Sequence, residues 1–222
     1  MNLFSILKSL DELLYEVMSW LVFFPITLWR IIRHPLDMMN YSDVEQQDAE
    51  SDQYTDTLSP PLFLLLALII SHALEIALVG ENGLIASKHG LASLISNDTN
   101  LIALRIVLFS LFPLAMSVRL VRGLHLRLDR DTLKAPFYSQ CYTAALFALG
   151  TGLATLLISQ HELNVQLAGL VLQIVVLAWY GILQTLWFSR HLRVGKLRGF
   201  VQASWAMVEA GLASIIVAFL FT

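Results

Sequence analysis

The chain has 222 residues, 57% of them hydrophobic and only 14% charged, with a mean hydropathy of +0.68. Water-soluble domains carry about 25% charged residues, so this composition excludes an ordinary soluble globule and points to an all-α, polytopic membrane bundle. The formal net charge of −3 excludes little, because where the charges lie matters more than their sum.

Met1 to Asp11 lacks a basic region followed by an apolar run and a small-residue cleavage site, so the first true span is expected to act as the insertion signal. Residues 1–36 read as an interfacial amphipathic helical region. Leu3 to Ile32 is apolar but interrupted by Lys8, Asp11, Glu12, Glu16 and Pro25. Its longest uncharged run, Val17 to Trp29, is about 13 residues, short of the roughly 20 a span needs. Trp20, Phe23, Phe24 and Trp29, followed by Arg30 and Arg33, suit a helix lying among headgroups. The competing reading is a sixth, re-entrant or tilted span.

Residues 37–59 read as an acidic cytosolic linker. Between Asp43 and Asp56 lie Glu45, Asp48, Glu50 and Asp52 with no basic residue, which predicts a solvated, disordered stretch. The alternative is a strap attracted to basic loops, although exposed charges are screened beyond about 8 Å at physiological salt.

Residues 60–222 read as a five-helix transmembrane domain, with spans at about Pro61–Gly80, Leu101–Val118, Gln140–Ser159, Val165–Phe188 and Phe200–Phe221. Pro60 and Pro61 suit a first helical turn. Asn97, Asp98 and Thr99 offer N-caps to the second span, and Pro113 is expected to bend it. Five spans put all but two of the fourteen Lys and Arg residues on one side, the exceptions being Lys88 in an opposite loop and Arg105 within a span. Basic residues favour the cytosol. The expected topology is therefore an N-terminus in the cytosol and a C-terminus on the far side of the membrane.

Ionisable groups inside spans are costly, at about 2.5–3.5 kcal/mol each at the bilayer centre. Glu75 and Arg105 each lie about five residues from the outer end of antiparallel spans, which predicts an ion pair, with His72 one turn from Glu75. Glu209 falls near the middle of span five with no basic residue evident at its depth. Gln173 of span four is its expected neighbour, hydrogen-bonded to a protonated carboxyl. Gln184 lies nearer the cytosolic end of span four. These polar groups are read either as helix-packing contacts or as a path for protons or ions.

Ala144, Ala148 and Gly152 in span three, with Gly150 and Ala154 beside them, allow close helix approach, as do Ala203, Ala206, Ala210, Gly211 and Ala213 in span five. They suit a compact bundle, a homo-oligomer or contact with other membrane proteins. Arg119, Arg122, Arg127, Arg130 and Lys134 form an amphipathic cytosolic segment, and Arg190, Arg193, Lys196 and Arg198 complete a basic inner rim. Anionic lipid headgroups are the expected partner of that rim. Nucleic acid is not, since nothing resembles a recognition module.

No nucleotide-binding glycine loop, HExxH, CxxC or GxSxG is present, so no enzyme and no cofactor is expected. His72, His89, His161 and Glu162 have no metal-ligand spacing, and the single Cys141 excludes an internal disulfide.

The layout of about sixty cytosolic residues, a proline-containing lead-in and five closely connected helices resembles the Yip family of five-span, Rab-GTPase-interacting-like membrane proteins. The lead-in reads Tyr54-Thr55-Asp56-Thr57-Leu58-Ser59-Pro60-Pro61, where eukaryotic members carry Asp-Leu-Tyr-Gly-Pro; here the proline and loosely the acidic residue correspond. Trp29-Arg30-Ile31-Ile32-Arg33-His34-Pro35 looks like the segment before the linker in bacterial members. The resemblance implies a non-enzymatic scaffold or accessory subunit in membrane organisation or an envelope or export assembly, and carries over no site residue. The alternative is a small oligomeric transporter or channel with a polar path through His72, Glu75, Arg105, Gln173 and Glu209, and a lipid-modifying enzyme is a distant third.

Overall fold

The computed structural model describes residues 3–79 and 98–220. Lys88, His89 and the proposed cap at Asn97 lie outside them. The regular structure is helical, with no strand among the described residues: α1 Leu3–Arg33, α2 Pro35–Glu45, α3 Pro60–Val79, α4 Asp98–Gly123, α5 Arg130–Ile158, α6 Leu163–His191 and α7 Lys196–Leu220.

Six of these helices are long and apolar enough to cross a membrane. Five match the expected spans: Pro60–Leu78, Ile102–Gly123, Arg130–Ile158, Leu163–His191 and Lys196–Val217. The sixth is Leu10–Arg33 of α1, the least hydropathic at 1.3. The uncharged run inside α1 is too short to span alone, but α1 is one continuous helix of 31 residues through Pro25. The candidates therefore number six rather than five.

α5 is the central helix, packed on α2, α3, α4 and α6, while α7 closes the far side against α4 and α6. Half of α5's apolar window, 50%, is buried, more than in any other candidate span. Small residues make this approach possible. Ala144, Ala145 and Ala148 are fully buried or nearly so, and a Cβ on Gly152 would fall 2.1 Å from Ser71 Oγ of α3. At the α6–α7 turn a Cβ on Gly199 would fall 2.7 Å from the Thr185 carbonyl oxygen. Where lipid replaces water no hydrophobic drive holds helices together, so such close contact carries the association. Gly211 plays no such part within the chain, for a Cβ there would meet nothing within 4 Å. Midway along the bundle Phe147 of α5 stacks on Tyr180 of α6, with ring centroids 4.7 Å apart, and Phe112 of α4 leans on Phe147 at 5.2 Å.

The acidic stretch is folded, unlike the disordered linker expected of it. Its first half is α2, and residues 46–57 run through turns. Met38, Met39, Tyr54 and Leu58 are buried between the acids, while Asp48, Glu50, Asp52 and Asp56 face outward. A count of charge overlooks those apolar anchors. The Tyr54 hydroxyl meets Ser42 Oγ at 3.0 Å and accepts from Gln46 Nε2 at 2.9 Å, which ties the turns to α2. Tyr54 also adopts a left-handed backbone, φ 56°, and its amide donates to the Glu45 carboxylate. The stretch reaches two basic helices: Glu50 lies 3.8 Å from Lys134, and Asp43 lies 3.7 Å from His191 Nε2.

Candidate functional sites

At the end of the bundle away from α2, Glu75 of α3 pairs with Arg105 of α4, as their matching depths predict. The two side chains are 19% and 21% exposed, so neither is sealed. His72 is buried one turn before Glu75, its Nδ1 3.9 Å from Glu75 Oε2. The pair borders a cavity of about 240 Å³ whose polar wall is Ser71, Thr151, Thr155 and Ser159. Leu68, Phe109 and Ala148 line it as well. Thr155 and Ser159 each donate to a carbonyl of the preceding turn at 2.9 Å, so their remaining capacity is as acceptors.

A second cross-bundle pair was missed in the sequence. Gln140 of α5 and Gln184 of α6 exchange reciprocal amide hydrogen bonds of 2.9 and 2.6 Å, and both are 0% exposed. The available signal was an amide in each of two antiparallel apolar helices, a few turns from the same end of the bundle. Tyr142 donates to the Leu58 carbonyl at 2.7 Å, and Leu58 N donates to Thr27 Oγ1 at 3.1 Å, so α1, α3 and α5 meet at the start of α3.

The surroundings of Glu209 differ from expectation. Its partner is Arg119, with Nη1 3.4 Å from Oε1, and its side chain is 44% exposed. Gln173 is not hydrogen-bonded to it among the described residues. The reason is that α4 runs on to Gly123, five residues past the expected span. Arg119 therefore sits on the helix rather than in a loop, and its long side chain lies along α7. Its Nε donates to Gln202 at 2.6 Å and its guanidinium passes 5.9 Å from the Trp205 ring on the way to Glu209.

The basic rim is likewise built mostly from helix ends. Arg119, Arg122, His125, Arg198 and Gln202 line a groove of about 750 Å³ with Leu192, Leu197 and Val201. Lys196 instead borders a separate, apolar groove of about 690 Å³ between α6 and α7. Lys134 faces Glu50 and the ring of Tyr138. Arg127, Arg130, Arg190 and Arg193 line neither groove.

Near α2, Arg30 Nη1 donates to Asp56 Oδ2 and the Tyr41 hydroxyl to Asp56 Oδ1, both at 2.8 Å. The hydrogen bond from Arg30 is the main cause holding the Asp56 carboxyl below its ordinary range, with Tyr41 adding to it and burial opposing. Burial pushes the Tyr41 and Tyr54 phenols up. Among the described residues no group of three His, Cys, Asp or Glu side chains is placed to hold a metal ion. No family model, no curated protein and no solved structure matches this chain.

Proposed function

We propose that the protein is a non-enzymatic integral membrane scaffold or accessory subunit, with five spans and α1 lying along the cytosolic surface of a bacterial inner membrane. The observation that carries this reading is the order of residues along α4. Arg105 and its partner Glu75 border the cavity, Phe109 lines it, Phe112 joins the Phe147 and Tyr180 rings, and Arg119 begins the basic groove. An aromatic layer thus separates the two polar regions, and each intramembrane charge is neutralised locally, Arg105 by Glu75 and Arg119 by Glu209. That arrangement favours a packed bundle over a polar path.

The surface position of α1 is supported by a cleft of about 470 Å³ that Tyr15 and Glu16 share with Glu50, Gln53, Lys134 and Tyr138. Those partners belong to the acidic turns and the start of α5, at the basic end of the bundle. Leu10, Leu13, Leu14 and Leu21 of α1 are exposed, as an apolar face immersed among headgroups would be. The Yip-like layout is part of the same proposal, since about sixty cytosolic residues, a proline-containing lead-in and five closely connected spans make up the resemblance.

Reconstitution into liposomes tests the reading. Proton and ion flux is expected to equal that of empty vesicles, while in-membrane cross-linking captures a second copy or a discrete protein partner. Flux that depends on the protein and disappears in Glu209→Gln, with helicity retained, would overturn it. For α1, an Asp11→Cys variant, on the charged side of the helix, should react with a water-soluble thiol reagent added from the cytosolic side, against a silent background because Cys141 is fully buried.

A further inference from the structure

We propose that the groove between the end of α4 and the α6–α7 turn binds the phosphate headgroup of an anionic phospholipid drawn from the leaflet at the basic end. The inference deepens the scaffold reading and rests on the bundle lying in a bilayer. α4 ends and α7 begins at this groove, so its mouth sits where two apolar helices finish. That is the level at which headgroups meet hydrocarbon.

Charge in the groove is unevenly compensated. Arg119 is held by Gln202 and Glu209. Arg122 and Arg198 are exposed, and neither side chain has an ion-pair or hydrogen-bond partner among the described residues. Two positive charges therefore stand uncompensated on one groove, each a planar fork suited to phosphate oxygens. The wall between them is apolar, formed by Leu192, Leu197 and Val201. A free anion gains nothing from that wall, whereas the glycerol and first methylenes of a lipid do. This contrast favours lipid over free phosphate.

The backbone supplies a second, independent sign. α4 and α6 close in the same way, with Leu126 N bonded to the Val121 carbonyl and Val194 N to the Ser189 carbonyl, each at 3.1 Å. Both closures need a residue in the left-handed region, where glycine is usual. Here the residues are His125, φ 56°, and Arg193, φ 52°. The first of them, His125, lines the groove itself, so the strain accepted there keeps an imidazole on it. With two arginines to satisfy, a headgroup carrying two phosphates is the better match.

The test uses the full chain, equilibrated with vesicles of phosphatidylethanolamine containing equal minor amounts of phosphatidylglycerol and cardiolipin, then extracted gently for native mass spectrometry. The unmodified protein is expected to retain cardiolipin over phosphatidylglycerol, and both over phosphatidylethanolamine. Arg122→Gln/Arg198→Gln should weaken retention about twenty-five-fold, two contacts at roughly fivefold each. Arg127→Gln/Arg130→Gln removes the same charge from the same rim outside the groove and should retain lipid as the unmodified protein does. Equal loss in both double variants would mean diffuse attraction and would overturn the site. Retention in proportion to lipid abundance, a readout that needs no variant, would overturn it as well. Displacement of lipid by inorganic phosphate at matched ionic strength would assign the groove to a free anion instead. None of these results bears on the flux measurement, so the two proposals fail separately.

Discussion

Two of the polar pairs that cross this bundle are buried to different degrees. Gln140 and Gln184 are sealed, each donating to and accepting from the other at 2.9 and 2.6 Å. Glu75 and Arg105 stay about one-fifth exposed and border a cavity lined with hydroxyls. The difference follows from the cost of removing each group from water. An amide without a partner loses a few kcal/mol in an apolar setting, and reciprocal pairing recovers most of that. A charged pair carries a desolvation penalty that pairing alone does not offset. The amides can therefore sit in the tightly packed half of the bundle, and the charges sit where they keep part of their surface open, beside a largely apolar cavity whose polar groups are four hydroxyls.

The largest expected effect tests the charged pair. Glu75→Ala leaves Arg105 uncompensated inside a helix and should lower stability by about 2.5–3.5 kcal/mol, measured as the unfolding midpoint in mild detergent. Exchanging the charges, Glu75→Arg with Arg105→Glu, should recover most of the loss, because the cavity surrounds both positions. If the exchange recovers nothing, the cavity wall rather than the pair sets the energetics, and the comparison with the amides collapses.

The charged pair was legible in the sequence because depth along two antiparallel helices can be counted from their ends. Glu209 was misjudged by the same method. Counting placed the end of the second span at Val118, and with Arg119 outside the helix no cation seemed to reach mid-span. α4 continues to Gly123 with Leu120 and Val121 buried, and Arg119 reaches Gln202, Trp205 and Glu209 along α7, tertiary contacts that local hydropathy does not encode. Five of the six long apolar helices were legible from length alone, and the sixth, α1, was not, because charges and Pro25 interrupt its apolar run. α2 and the turns after it were not, since their fold depends on Met38, Met39 and Tyr54 finding the buried clusters around α5, and charge dominates the local pattern. The amide pair was hidden for a related reason: a glutamine near a span end reads as a boundary until its partner on the neighbouring helix is known.

An intermediate effect is expected at the amides. Gln184→Leu orphans Gln140 in a dry interior and should cost about 1–2 kcal/mol. Gln140→Leu/Gln184→Leu removes both polar groups and should be nearly neutral, since leucine packs where the amides lay. A thermodynamic cycle over the four proteins measures the coupling. A double variant as unstable as the single one would show that shape, not satisfied hydrogen bonding, permits burial there.

The smallest effect lies on the surface pair, which extends the comparison to its exposed limit. Arg30 and Asp56 are 42% and 56% exposed, so solvent screening should hold Asp56→Asn within about 1 kcal/mol. Its signature is in the pH dependence. The hydrogen bond from Arg30 depresses the folded carboxyl below the 3.8 of an unperturbed aspartate, so the folded state binds the proton less readily than the unfolded chain does. The contribution is then fully present above the unfolded value and is lost as pH falls through the folded one. The unmodified protein should lose stability below about pH 4 more steeply than Asp56→Asn, read from thermal midpoints on descending pH. Parallel acid limbs would mean that water already satisfies Asp56, leaving α2 and its turns attached through Tyr54, Leu58 and their buried contacts alone.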